Sequence, residues 1–101
     1  MIIRVTDTAI DPEDLERCRQ LTREQVGPAF EQIQGCRGIE IHVRVDERHG
    51  DLLEVAAVSR WESVEAMEAA VRSERYSDAM ADIRGLFQQA PIVRIFDTGT
   101  N

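Results

Sequence analysis

Long apolar runs, a basic leader and an excess of positive charge are all missing from this sequence. No run approaches the roughly 18 apolar residues that a helix needs to cross a bilayer, so we expect no membrane contact. Residues 1–10 place Asp7 among apolar side chains and lack the basic start and the cleavage site of a signal peptide. We therefore expect a cytoplasmic protein.

Basic residues are outnumbered, because 12 Lys and Arg face 19 Asp and Glu and the formal net charge is −7. The acidic residues are spread along the chain, and such a field repels phosphate backbones, so no nucleic-acid partner is expected. The two cysteines, Cys18 and Cys36, form no C-x-x-C motif. Buried, reduced thiols are favoured over a disulfide. His42 and His49 have no Cys or His at ligand spacing, so we expect no metal site.

Motifs of hydrolases and nucleotide-binding proteins are also absent: the sequence has no G-x-S-x-G, no Gly-rich phosphate loop and no paired-carboxylate pattern. What is present is a chain of 101 residues, 43% hydrophobic and 31% charged, which are globular proportions. We expect a single domain over residues 1–101. A chain of this size buries only roughly 60 to 65% of its surface on folding, so a partner surface would help to stabilise it.

Four segments have the composition and periodicity of β-strands. They are residues 2–10, 39–46, 52–60 and 92–97. On the first segment, Ile3 and Val5 share one face, and Arg4, Thr6 and Thr8 share the other. The second alternates completely between apolar and polar residues, so that one face is core and the other is wet or meets a partner. The third is apolar on both faces, which favours a central strand or one that another subunit covers.

Two helical regions separate these strands. The first begins at Asp11, whose side chain can cap the helix, and Gly27-Pro28 interrupts it because proline has no N–H to donate. The second is predicted in two pieces, capped by Ser63 and Ser73, and its apolar stripe runs to Phe87. The resulting order, βαββαβ, is that of a ferredoxin-like α+β fold, in which helices cover one face of a four-stranded antiparallel sheet.

Several short patterns, taken together and in this order, resemble the antibiotic biosynthesis monooxygenase family of dimeric α+β barrel proteins. They are Gly35-Cys36-x-Gly38 before the second strand, VSRWESVEA at residues 58–66, and SERY at residues 73–76. The resemblance covers nearly the whole chain. It implies a homodimer in which two four-stranded sheets face each other as a barrel. The helices would lie outside, with a pocket in each subunit between sheet and helices.

The resemblance also implies a chemistry. Cofactor-independent monooxygenases of this family oxidise aromatic substrates, such as anthrones and quinols, that supply their own electrons to oxygen. The protein would bind a small apolar or aromatic molecule, help to ionise it and exclude water, with no cofactor. Apolar residues at the strand-to-helix corner and along the second helical region are the candidate substrate-binding residues: Trp61, Met67, Val71 and Phe87. Candidate catalytic residues are His42, Tyr76 and Asp7, and the sequence does not choose among them as the base.

Simpler interpretations stand beside these roles. Trp61 can plug the end of the core, Tyr76 begins an apolar helix stripe, and His42 lies on the polar face of its strand. A non-enzymatic ligand-binding or dimerisation module is therefore the alternative function. A haem-degrading branch of the family uses a first-strand asparagine and a helix histidine about ten residues after the tryptophan. Asp7 and Val71 stand at those positions here, so haem is not expected.

Overall fold

One antiparallel sheet organises the computed structural model, which describes residues 1–47 and 50–99. The predicted histidine His49 lies outside the described residues. The strands are β1 (Ile2–Ile10), β2 (Cys36–Val43), β3 (Leu53–Trp61) and β4 (Ile92–Asp97). Their order across the four-stranded sheet is β2-β3-β1-β4, and each neighbouring pair is antiparallel. This confirms the ferredoxin-like α+β fold and the interior position predicted for the third strand.

Helices cover one face of this sheet. A 3₁₀ turn (Pro12–Asp14), α1 (Leu15–Leu21), a π-helical turn (Thr22–Val26) and α2 (Gly27–Glu31) connect β1 to β2. The helices α3 (Val64–Val71) and α4 (Glu74–Arg84) connect β3 to β4. In the described part of the chain, none of these helices is long and apolar enough to cross a membrane.

The predicted helix caps are confirmed. Asp11 accepts a hydrogen bond from the Glu13 N–H at 2.9 Å. Ser63 accepts one from the Ala66 N–H at 3.1 Å, and Ser73 accepts one from the N–H of Tyr76 at 3.2 Å. These bonds satisfy N–H groups that have no partner within the helix, and they fix where α3 and α4 begin.

The predicted interruption at Gly27-Pro28 takes the form of a π-helical turn. The Gly27 N–H donates to the Thr22 carbonyl, five residues back instead of four. Pro28 then lies in the first turn of α2, where its missing N–H is not needed. A Cβ atom added at Gly27 would lie 2.8 Å from the Thr22 carbonyl oxygen, so this turn has no room for a side chain.

The register shows which face of β1 packs beneath the helices. Arg4, Thr6 and Thr8 pair with Ser59, Ala57 and Val55 of β3 on the helix-covered face. Ile3 and Val5 therefore point to the face without helices, which we call the open face. Apolar residues of β3 and β4 lie on the same open face: Ala56, Val58, Ile92 and Phe96.

Three predicted elements have wrong boundaries. The second strand spans Cys36–Val43 rather than residues 39–46, because a bulge between Cys36 and Ile39 lets pairing begin earlier. It also ends earlier, and Val45, predicted to share the apolar face, is 94% exposed. Arg44 binds Asp46 at 2.7 Å and so stabilises the turn that leaves the sheet.

The other two elements with wrong boundaries are β3 and α4. The third strand is displaced by one residue from its predicted range and ends at Trp61, so the strand-to-helix corner lies after Trp61. Helix α4 ends at Arg84, and Phe87 lies in the following turn, where it forms an isolated bridge with Ile10. Gly85 is the C-cap residue of α4, so the apolar stripe predicted to reach Phe87 ends with the helix before it.

Candidate functional site

A small enclosed cavity lies between the centre of the sheet and the helices, where the family resemblance implies a pocket. Its volume is about 10 Å³, room for roughly one water molecule. Strand residues and helical-region residues both line it: Thr6, Thr8, Ile41, Val55, Ala57, Cys18, Met80, Ile83 and Phe87. An aromatic ligand needs about 300 Å³ or more, so this cavity must open before it can bind one.

A line of polar side chains runs beside the cavity along β1, and we call Arg4, Thr6 and Thr8 the polar row. Arg4 Nη1 donates to Thr6 Oγ1 at 2.9 Å and to Tyr76 Oη at 2.7 Å. Thr8 Oγ1 donates to the Gln89 carbonyl at 2.9 Å. Thr6 and Thr8 are 7% and 3% exposed, so both hydroxyls lie in the interior. Polar groups in the middle of an apolar layer are more informative than apolar ones, because burying them is costly.

The polar row was not among the predicted site residues, although the sequence contained a signal for it. The alternation of β1 places Arg4, Thr6 and Thr8 on one face and Ile3 and Val5 on the other. Since apolar faces usually turn inward, the apolar face is the one expected beneath the helices. The structure has the opposite orientation, which brings the polar face to the site.

Trp61 is fully buried at the end of β3, away from the cavity lining. Its indole N–H donates to Ser59 Oγ at 2.9 Å, and its ring lies 6.1 Å from that of Phe30. This pairing satisfies the polar atom of the indole inside the core. The arrangement is that of a side chain closing the end of the core.

The other predicted helical site residues lie on the same side of the sheet. Met67 and Tyr76 are 5% and 4% exposed and belong to the core, and Val71 packs against it. The Tyr76 ring lies 5.3 Å from Phe30. Phe87 is half-buried and lines the cavity. The structure therefore brings the predicted helical residues to one layer, with Phe87 at the cavity itself.

Asp7 and His42 lie on the open face, across the sheet from the cavity. Both line a shallow depression of about 190 Å³, together with Arg44 and Glu54. His42 is 54% exposed, and its Nε2 atom lies 3.7 Å from Glu40. Burial, and next a hydrogen bond with Glu54, raise the pKa of Asp7 above its usual value. The candidate catalytic residues are thus divided between the two faces of the sheet.

The cysteines contribute neutral thiols. Burial raises the pKa of both Cys18 and Cys36, so each stays protonated at neutral pH. They are free cysteines in the structure, and Cys18 lines the cavity. Within residues 1–47 and 50–99, no three His, Cys, Asp or Glu side chains come together as a metal site.

A larger groove lies on the outer surface, between the turn before β2 and helix α3. Its volume is about 620 Å³, and its lining includes Ile33, Gly35, Ala66 and Arg75. None of the predicted site residues lines it. The groove therefore belongs to the outside of the helical layer and is separate from the cavity over the sheet.

Comparison with known proteins gives a family match and a consistent fold. The family model described as antibiotic biosynthesis monooxygenase matches residues 1–82. No protein of curated function matches in sequence. Among solved structures, a candidate antibiotic biosynthesis monooxygenase from Deinococcus radiodurans has a TM-score of 0.74 and 16% identity, covering 100% of this chain and 95% of that chain.

Two further structures carry the same description. A candidate antibiotic biosynthesis monooxygenase from Nitrosomonas europaea has a TM-score of 0.75 and 10% identity, covering 99% of this chain and 100% of that one. One from Bordetella bronchiseptica has a TM-score of 0.72 and 18% identity, covering 98% and 97%. At these identities the structures establish the shared fold, which extends over the whole length of each chain.

Proposed function

The chain belongs to the antibiotic biosynthesis monooxygenase family, and from this premise we propose a function for it. The protein is a homodimer that binds a small, largely apolar or aromatic molecule between its sheet and its helices. It oxidises that molecule with oxygen and without a cofactor. The observation that carries the proposal is the polar row of Arg4, Thr6 and Thr8, in which Thr6 and Thr8 are buried and line an otherwise apolar cavity.

A purely structural core would not need this row. Valine at the positions of Thr6 and Thr8 would fill the same space without a hydroxyl group to satisfy. A binding site, in contrast, needs a few polar groups on apolar walls to orient its ligand. The buried hydroxyls of Thr6 and Thr8, with the Arg4 guanidinium at the end of the row, have that distribution.

The cavity must enlarge to admit such a molecule, and Phe87 is the side chain best placed to move. It is half-buried in the turn after α4, outside the packed helices. Its outward rotation would join the cavity to the surface without disturbing α4 or the sheet. Residues in connecting turns undergo such motions at lower cost than residues in packed helices.

The proposed reaction needs no electrons from the protein. An anthrone gains one oxygen atom at its methylene carbon, the second oxygen atom leaves as water, and the substrate supplies all the electrons. The protein orients the substrate, favours its ionised form and keeps bulk water out. Tyr76 lies on the cavity side and is our proposed proton-handling group there, whereas Asp7 and His42 would serve a ligand only on the open face.

The open face supports the proposed dimer. Ile92 and Phe96 are 54% and 51% exposed there, beside half-buried Ile3 and Val5. Helices cover the opposite face of each sheet. The surface that matches the open face in shape and chemistry is therefore the open face of a second copy. Two sheets packed in this way would form the barrel.

Oxygen uptake tests the proposed activity. We expect wild-type protein to consume oxygen with an anthrone or a quinol, and Thr8→Val to lower the rate at least about tenfold by removing a ligand-orienting hydroxyl. Thr22→Val is the matched control, because Thr22 also donates to a backbone carbonyl, that of Cys18 at 2.9 Å, but does not line the cavity. Equal rates in all three proteins, or none, would contradict the activity.

The alternative is a non-enzymatic ligand-binding or dimerisation module, and the small cavity favours it. A volume of about 10 Å³ is that of a well-packed interior. In this case Phe87→Ala would enlarge the cavity and increase binding of a hydrophobic dye, yet no variant would consume oxygen. Binding without oxygen uptake would therefore identify the module.

A further inference from the structure

Arg4 is a half-buried cation near the start of β1, and its hydrogen-bond partners are neutral. Its Nη1 atom donates to Tyr76 Oη at 2.7 Å and to Thr6 Oγ1 at 2.9 Å. A guanidinium group has five N–H donors, and both of these bonds use one nitrogen atom. In the described chain no buried side-chain nitrogen lacks a partner, so the remaining nitrogen atoms of Arg4 are accessible to solvent.

No carboxylate neutralises this cation within the described residues. Ion pairs there involve other arginines, which are Arg19, Arg37, Arg44, Arg60 and Arg72. Arg84, which also approaches Tyr76, has no carboxylate partner among residues 1–47 and 50–99 either. In a chain of 19 acidic residues, this is an unusual position for a half-buried charge. A partly desolvated charge without a counter-ion is costly, and such groups are concentrated at binding sites.

Both the Arg4 and the Arg84 guanidinium groups lie near the Tyr76 ring. The central carbon of Arg4 is 5.6 Å from the ring centroid, and that of Arg84 is 5.7 Å from it. The Ser73 cap fixes the backbone of Tyr76 in the first turn of α4. Because Tyr76 Oη accepts from Arg4, its own hydrogen atom is available to another acceptor. Two cations and one hydroxyl donor therefore converge on one small region.

Apolar side chains adjoin this cluster. Ile95 and Val93 of β4 pair with Arg4 and Thr6 across the sheet, and each is 43% exposed. Thr6 in turn lines the enclosed cavity. A ligand with an acidic end at Arg4 would thus have an apolar surface next to it and the cavity within reach.

We propose that Arg4, Tyr76 and Arg84 bind the carboxylate of a small, otherwise apolar or aromatic acid. The inference rests on the proposed function and narrows its ligand from apolar molecules in general to organic acids. The carboxylate accepts two parallel hydrogen bonds from the free side of the Arg4 guanidinium and a third from Tyr76, while Arg84 adds charge from the surface. The apolar body lies against Val93 and Ile95, in line with the cavity.

A pair of ligands that differ in charge alone tests this. The probes are 1-naphthoate and its neutral isostere 1-naphthamide, titrated into the intact protein. Tyr76 is the single tyrosine of the chain, so ring signals from tyrosine-labelled protein report binding at this site in NMR spectra. We expect naphthoate to shift these signals and to bind about ten- to hundredfold more tightly than the amide, as expected for charged hydrogen bonds.

Variants of the arginines complete the test. Arg4→Gln should reduce the preference for the acid to about twofold or less, and Arg4→Lys should retain only part of it, since lysine cannot donate two parallel bonds. Arg84→Gln, at an exposed position, tests the site without disturbing the core and should lower acid affinity several-fold. Arg72→Gln is the matched control immediately after α3, where Arg72 binds Glu68, and should behave as wild type.

Each contrary outcome has its own meaning. Equal binding of acid and amide would overturn acid recognition and leave the proposed apolar site standing. An equal response to formate at the same concentration would mean a simple anion site and would also overturn it. If Arg4→Gln dissociated the dimer, the carboxylate that pairs with Arg4 would belong to a second copy of the chain and not to a ligand, which would overturn the proposal. If neither probe moved the Tyr76 signals, acid recognition would be wrong, and oxygen uptake would judge the proposed function separately.

Discussion

Asp7 is a carboxyl group whose surroundings oppose its ionisation. Burial, and next the hydrogen bond and charge of Glu54, raise its pKa, while Arg94 and Arg44 lower it by a smaller amount. A raised pKa in the folded state means that protonated Asp7 stabilises the fold. This contribution is fully present below the unfolded pKa of 3.8 and is lost as the pH rises through the higher, folded pKa.

Asp7→Asn should therefore stabilise the protein at neutral pH, because asparagine is neutral at every pH and still donates a hydrogen bond to Glu54. We expect a gain of about 0.2 to 1 kcal/mol at pH 7, the range for a cross-strand charge pair, and none at pH 3. Urea unfolding at fixed protein concentration, followed from pH 3 to pH 8, measures it. Asp78→Asn, at an exposed position of α4, is the control. A loss of stability at pH 7 would show that Arg94 and Arg44 dominate instead.

The sequence position of Trp61 is compatible with two roles. A tryptophan at the end of a strand can line the wall of a pocket or close the end of the core. The deciding feature is Ser59, two residues earlier on β3. In the structure Ser59 is 4% exposed and accepts the indole hydrogen bond, so the ring can be buried completely.

Among the elements, the helices between β1 and β2 are the most irregular. Alanine is usually more stable than glycine within a helix by about 1 kcal/mol. At position 27 the reverse should hold, because the added Cβ would lie 2.8 Å from the Thr22 carbonyl oxygen. We expect Gly27→Ala to lower the free energy of unfolding by about 1 to 3 kcal/mol, the range for overpacking.

Circular dichroism during urea unfolding measures this change. Gly85→Ala is the matched control: Gly85 also has helical φ, at −62°, and an added Cβ would lie 3.2 Å from the Asp82 carbonyl oxygen. It should stay within about 0.5 kcal/mol of wild type. If Gly27→Ala proved more stable than wild type, the π-helical turn would not be a fixed feature of the fold.

The existence of each element was predictable, because capping residues and alternation act over a few positions along the chain. Ser63, Ser73 and Asp11 are examples whose hydrogen bonds are confirmed. Ends of elements were harder, since they depend on tertiary contacts. The bulge after Cys36 and the bridge of Phe87 with Ile10 both join residues that are distant in sequence, and no local pattern contains them.

At the scale of the whole molecule, the two faces of the sheet decide the function. From the sequence, Tyr76 and Phe87 could be assigned to the helical side, but nothing separated them from Asp7 and His42. Only the register shows that the polar row of β1 lies beneath the helices, whereas Asp7 and His42 lie on the open face. The candidate site therefore depends on which face of the sheet the helices cover. A shift of one residue in register would move every side chain of a strand to the other face.

The same orientation leaves apolar residues of β1 and β4 on the open face, and the proposed dimer depends on them. Phe96 is 51% exposed there and pairs with Ile3, while its neighbour Ile95 is 43% exposed on the opposite face. These adjacent residues of one strand therefore allow one face to be tested against the other. Phe96→Asp should weaken dimerisation, because it places a charge among apolar side chains, and Ile95→Asp should preserve it.

Sedimentation velocity over a dilution series measures the association of chains of 11.5 kDa. We expect wild type and Ile95→Asp to sediment as dimers at micromolar concentration. Phe96→Asp should raise the dissociation constant at least about thirtyfold, the effect of losing one aromatic anchor in an interface. Dissociation of Ile95→Asp but not of Phe96→Asp would place the interface on the helix-covered face. It would then cover Arg4 as well, so the dimer and the proposed acid site would compete for the same surface.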